Sequence, residues 1–157
     1  MTESKPTGGG KFILLIEDSV DDELLMIRAL KRNEMLNEVI VMRDGVEALD
    51  FLFGNGTHAG RDICELPQVV LLDLNLPRVS GLEVLRRIRA DERTRLLPVV
   101  ILTSSKEEED VVRSYTLGAN SYVRKPVDFG QFAEAIKSLG VFWLLFNEFP
   151  PPPRGPS

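Results

Sequence analysis

Five short apolar runs, each followed by a stretch of helical periodicity, constrain this chain more than any other feature. Phe12-Ile13-Leu14-Leu15-Ile16 is unbroken apolar sequence and ends in Glu17-Asp18. A strand wet on one face would alternate, so a run without alternation predicts a strand buried on both faces. Residues 39–42, residues 69–72 leading into Asp73, residues 98–103 and residues 121–124 repeat the theme. Ser19 opens a helix, with Asp22 three positions on and acids in its first turn. Leu25 with Ala29 and Met26 with Leu30 supply the inner stripe of that helix. Residues 45–53 predict a second helix stopped by Gly54. A third, from about Gly81, turns Leu82, Leu85 and Ile88 inward and leaves Arg86, Arg87 and Arg89 in water. A fourth covers 107–117 with an acidic start, and Asp128 caps a last helix reaching about Phe146. Strand then helix, five times over, predicts an α/β protein with a parallel sheet covered on both faces.

The folded part is expected to span residues 11–149. Residues 1–10 form a polar, flexible lead ending in Gly8-Gly9-Gly10, and residues 150–157 form a proline-rich tail. With 19 basic against 24 acidic residues the net charge is −5, which argues against nucleic acid as a partner. The single cysteine, Cys64, reads as a partly buried free thiol and fits a reducing compartment. His58, the single histidine, reads as a surface residue. The longest apolar run, residues 141–146, is too short to span a bilayer, and the amino terminus lacks a signal-peptide pattern. The expectation is a cytoplasmic protein without a membrane partner.

In parallel α/β sheets, function gathers where the strands end. Here the ends deliver Glu17 and Asp18, then Asp73, Thr103 and Lys125. Clustered carboxylates repel one another unless a cation sits among them. Oxygen donors of this kind suit Mg²⁺. An aspartate at such an edge can accept a phosphoryl group, with Lys125 and the metal neutralising charge and Thr103 donating to an oxygen.

At this point the chain resembles the receiver domains of two-component response regulators. The matching residues are Glu17-Asp18, Asp73-Leu74-Asn75-Leu76-Pro77 with Gly81 beyond, Thr103-Ser104, Tyr122, and Lys125-Pro126. The resemblance covers residues 12 to about 140. It implies a flavodoxin-like (βα)5 sheet in strand order 2-1-3-4-5, with Asp73 phosphorylated from a histidine of a sensor kinase. It further implies that Asp18, Asp73 and the backbone carbonyl of Asn75 ligate Mg²⁺, and that Glu17 acts through metal-bound water. Thr103 and Tyr122 would be a switch pair, Lys125 a charge clamp, and Lys125-Pro126 a cis peptide. Glu17 stands where many members have Asp, which lengthens its reach to the metal. Asn75 and Ser105 occupy variable positions that tune phosphoryl lifetime in the family.

Taken singly, each of these residues has a plainer explanation. Asp73 could merely end a strand, Thr103 could be a β-branched strand residue, Lys125 a solvated charge and Tyr122 part of the core. Two other functions remain as alternatives. An aspartyl-phosphate phosphatase of the haloacid dehalogenase type needs Asp-x-Asp on its first strand, whereas Asp73-Leu74-Asn75 lies on the third. A degenerate receiver acting as a scaffold would not need the complete set of Asp18, Asp73, Thr103 and Lys125. Nothing after residue 149 suggests an output domain, so protein contact or onward phosphoryl transfer is the expected output. Residues 141–146 are apolar all round, which predicts a homodimer surface with Phe142, Trp143 and Phe146 as its candidates. The Phe-Trp-Leu end of that helix, with Glu17-Asp18-Ser19 and the residues from Leu72 to Pro77, also resembles stand-alone regulators that partner phytochrome-type histidine kinases.

Overall fold

The computed structural model describes residues 12–32, 38–104 and 107–125, together with Gln131 and Glu134. Five strands and four helices alternate: β1 (Phe12–Ile16), α1 (Val20–Arg32), β2 (Glu38–Met42), α2 (Gly45–Phe53), β3 (Val69–Leu72), α3 (Gly81–Ala90), β4 (Val99–Thr103), α4 (Glu108–Thr116) and β5 (Ser121–Arg124). All strand pairs are parallel and the order is β2-β1-β3-β4-β5, as expected. Gln131 and Glu134 are helical. The expected lead, tail, Asp128 cap, apolar helix end with Phe142, Trp143 and Phe146, Ser105 and the Lys125-Pro126 peptide lie outside the described residues.

The unbroken apolar runs are explained by two cores. Phe12, Leu14 and Ile16 of β1 join Val70 and Leu72 of β3 against α2 and α3. Ile13 and Leu15, one residue out of phase, join Val69, Leu71, Val100 and Leu102 against Met26, Ala29 and Leu30 of α1. Because side chains alternate across a strand, a sheet covered twice needs apolar residues at every position. Leu25, placed on the inner stripe by periodicity, packs at its margin.

The helix boundaries follow local chemistry. Asp44 accepts the Glu47 N–H at 2.8 Å and caps α2, while Gly54 ends it at φ 69°. Ser80 caps α3 through the Glu83 N–H at 3.2 Å. The buried stripe of α3 is Gly81, Val84, Leu85 and Ile88, with Leu82 only half-buried. At Gly81 a Cβ atom would lie 2.2 Å from the Asp73 carbonyl oxygen and 2.6 Å from the Leu74 Cα. Both are backbone atoms, so only glycine lets α3 start this close to the loop after β3.

Three expectations need correction. Arg89 is not in water: its guanidinium is half-buried at the amino edge of the sheet. It donates to the carbonyls of Gly118 (2.8 Å), Arg95 (2.9 Å) and Leu97 (2.7 Å) and to Asn120 Oδ1 (2.9 Å). A long stem lets an arginine at a helix end fold over its terminus to reach neighbouring loops. His58 is half-buried, its ring edge-on to Phe51 with centroids 5.3 Å apart. Cys64 is exposed, in a turn where its N–H donates to Asp62 Oδ1 at 3.0 Å.

Candidate functional site

Parallel pairing carries the ladder one residue beyond each strand, and those extra bonds place the polar residues. The Glu17 N–H donates to Met42 O at 2.9 Å, the Asp73 N–H to Ile16 O at 3.1 Å, and the Lys125 N–H to Thr103 O at 2.9 Å. Glu17 and Asp73 therefore project from the neighbouring strands β1 and β3, and Lys125 from β5 on the far side of β4, all at one carboxyl edge. Beyond Asp73 the chain turns at once: the Asn75 N–H donates to Asp73 Oδ1 at 3.1 Å, and the Gly81 N–H returns to Leu74 O at 3.0 Å.

Glu17 and Asp73 are 2% and 6% exposed, while Asp18 faces solvent. Among the described residues, Glu17, Asp18 and Asp73 form the group able to hold a metal ion, with one oxygen from each lying within 4.8 Å of the others. An all-oxygen donor set fits a hard cation such as Mg²⁺ or Mn²⁺. The Lys125 side chain is 8% exposed and its Nζ donates to three carboxylates at once. These are Glu17, Asp22 at 2.8 Å and Asp73 Oδ2 at 2.9 Å. Three N–H bonds meet three acceptors, so the ammonium is saturated.

The charges adjust to this crowding. Burial pushes the Glu17 carboxyl up to about 7 against the pull of Lys125, and the neighbouring Asp73 adds to the rise. Burial also works to raise Asp73, but the Lys125 ammonium and the Asn75 N–H outweigh it and hold that carboxyl below its usual range. Of the two buried acids, Asp73 is the one kept as a carboxylate. Burial works to lower Lys125, and its bonds to Asp22, Glu17 and Asp73 overcome this and raise it. An ionised acceptor beside a fixed ammonium and an oxygen-lined cation site can take up an electrophilic phosphorus.

The structure brings together Glu17, Asp18, Asp73 and Lys125, four of the residues singled out in the sequence. Thr103 ends β4 and is fully buried at the same edge. Tyr122 is half-buried beside Ile101 and packs on the core that faces α2 and α3. Asn75 is exposed in the turn after Asp73. Sequence reasoning overlooked one contact, that of Asp22 with Lys125. The signal was present: Asp22 lies one helical turn beyond Asp18, on the helix that leaves the same edge.

Known proteins resemble the chain in sequence and fold. The response regulator receiver domain model matches residues 13–137. Response regulator Rcp1 of Synechocystis sp. is 38% identical over 142 residues, covering 90% of this chain and 92% of that protein. The crystal structure of its Mn²⁺-bound form has a TM-score of 0.81 at 37% identity, covering 89% and 99% of the two chains. The phosphorylated cyanobacterial phytochrome response regulator RcpA gives 0.82 at 37% identity, over 90% and 99%. The bacteriophytochrome response regulator RtBRR is 54% identical, with a TM-score of 0.73 over 90% and 85%. With its strand order, its acidic edge and its lysine accounted for, the chain belongs to the response regulator receiver domain family.

Proposed function

We propose that the chain is a phosphoacceptor switch. Asp73 takes a phosphoryl group from a histidine of a sensor kinase. One Asp73 carboxylate oxygen bonds to phosphorus while the bond from phosphorus to the histidine ring nitrogen breaks, its electron pair staying on the nitrogen. The observation that carries this reading is the buried Asp73 held 2.9 Å from Lys125 Nζ within the oxygen-lined group of Glu17 and Asp18.

Asp18, Asp73 and the Asn75 backbone carbonyl are the residues to hold Mg²⁺ directly, with Glu17 acting through bound water. When bound, the ion supplies positive charge to offset that on the transferring oxygens. Lys125 pairs with a phosphoryl oxygen, and Thr103 donates its hydroxyl to another. Movement of Thr103 and inward rotation of Tyr122 then change the surface formed by α4, β5 and the helix that follows. The phytochrome response regulators among the named relatives support a phytochrome-type histidine kinase as the partner, and a cytoplasmic setting belongs to the same proposal. Among the described residues no helix is long and apolar enough to cross a membrane. Self-association through Phe142, Trp143 and Phe146 belongs to the same proposal. The scaffold alternative gives no account of why acids would be buried together at a cost to stability.

The test is incubation of the chain with acetyl phosphate and Mg²⁺. One acid-stable, base-labile phosphoryl group per chain is expected, absent in Asp73→Asn and absent when the metal is chelated. A wild-type chain that stays unmodified with both acetyl phosphate and a histidine kinase would leave the scaffold reading. Light scattering on Phe142→Glu and Trp143→Glu tests the dimer, which an unchanged mass in both would remove.

A further inference from the structure

The first turn of α1 departs from the usual helix start in a way that concerns Lys125. In a capping box the acid three residues after the capping serine turns back to the serine N–H. Here the Ser19 Oγ does accept the Asp22 N–H at 3.3 Å, but the Ser19 N–H donates to Glu17 Oε2 at 3.2 Å instead. Glu17 has taken the reciprocal role. The Asp22 carboxylate is thereby released from its own helix, and it reaches across to Lys125 Nζ at 2.8 Å.

The three acceptors around the ammonium are not equivalent. Glu17 and Asp73 are buried and belong to the group that can hold a cation, whereas Asp22 is 37% exposed and stands outside that group. A bound metal draws on Glu17 and Asp73, and bond formation to phosphorus removes charge from Asp73. Asp22 is then the one acceptor with no second task. It is also fixed to α1, away from the loops that receive the phosphoryl group. A lysine stem has four rotatable bonds, and an ammonium released by its other partners would swing freely without such a tether.

We propose that Asp22 is a positioning residue for Lys125, holding the ammonium beside Asp73 from α1 while phosphorus is bonded there. The proposal rests on the phosphoacceptor reading above. It makes Asp22 the fourth carboxylate of the site, outside the metal ligands, acting on the reaction through the lysine alone.

The full-length chain, saturated with Mg²⁺, provides two independent readouts. The first is the rate of adduct formation from acetyl phosphate. Asp22→Ala is expected to slow it about five- to tenfold, and Asp22→Asn, which keeps an oxygen acceptor, about twofold. The Mg²⁺ affinity of each should stay within about twofold of wild type. The second is hydrogen exchange at the Lys125 ammonium, followed by nitrogen-15 NMR and assigned by loss of the signal in Lys125→Arg. Exchange should accelerate about tenfold in Asp22→Ala, because one of three protecting bonds is gone. Unchanged exchange in Asp22→Ala overturns the tether. A slower rate without faster exchange, or faster exchange without a slower rate, overturns the positioning role. A wild-type chain that forms no adduct with acetyl phosphate or with a histidine kinase refutes the phosphoacceptor reading instead, and the exchange comparison then judges the tether alone.

Discussion

Two cations are drawn into this fold at opposite edges of one sheet, and their partners differ in kind. At the carboxyl edge Lys125 is surrounded by three carboxylates. At the amino edge Arg89 is surrounded by three carbonyls and the Asn120 amide oxygen, which also accepts the Val99 N–H at 2.8 Å. The electrostatic outcomes are opposite. Burial with no anionic partner lowers Arg89, whereas the carboxylates overcome burial and raise Lys125. Carbonyl oxygens do not titrate, so the Arg89 contacts do not depend on pH. Carboxylates do, and Glu17 and Asp73 belong to the group that can hold a cation, so their contacts with Lys125 are exchangeable. The fold lines its amino edge with acceptors that do not titrate and its carboxyl edge with acceptors that do.

Four measurements can break or sharpen that contrast. Arg89→Met should have the largest effect, about 3 kcal/mol of lost stability, because several partly buried carbonyls lose their donor together. Urea unfolding should give the same loss at pH 5 and pH 8, with or without Mg²⁺; dependence on either would end the comparison. Lys125→Met should cost about 2 kcal/mol at pH 7 by leaving buried carboxylates uncompensated. In that variant the loss should shrink when Mg²⁺ is added or when the pH is lowered to 5.

The third measurement concerns Glu17, whose folded carboxyl lies near 7, above its ordinary 4.5. A raised acid favours the folded state while protonated. Its contribution is full below about 4.5 and is lost as pH rises through about 7 in metal-free protein. Metal binding then displaces that proton. Apparent Mg²⁺ affinity should rise with pH by up to about tenfold per unit and level off above 7. Calorimetry in buffers of different ionisation enthalpy reads the proton release, which Glu17→Gln should abolish. The smallest effect should come from Glu83, whose carboxylate is held down to about 2 by Arg86 and Arg87 on the surface of α3. Glu83→Gln should move Tm by less than about 2 °C, since exposed pairs contribute little.

The fold was legible because burial on both faces leaves a mark that needs no partner to interpret: β1 is apolar at every position. The gathering of Glu17, Asp18, Asp73 and Lys125 at one edge was legible for a related reason, since each strand announces its own end and the parallel order places all ends together. Arg89 and Asp22 were not legible. Helical periodicity assigns a residue to a face, but it says nothing of loops that a helix end will meet, and Arg89 finds its acceptor 29 positions away in Gly118. Asp22 was hidden by a plausible local role. Its position after Ser19 satisfied a capping pattern, and only the structure shows Glu17 in that role and Asp22 bonded 103 positions away to Lys125.

The hydrogen atom that stands for a side chain at position 81 has a mechanical meaning. No cushion of methyl groups separates the start of the third helix from the backbone of Asp73, so the two share a hard contact of main chain on main chain. A displacement of the backbone at that aspartate would meet the start of the helix with no side chain between them to give way.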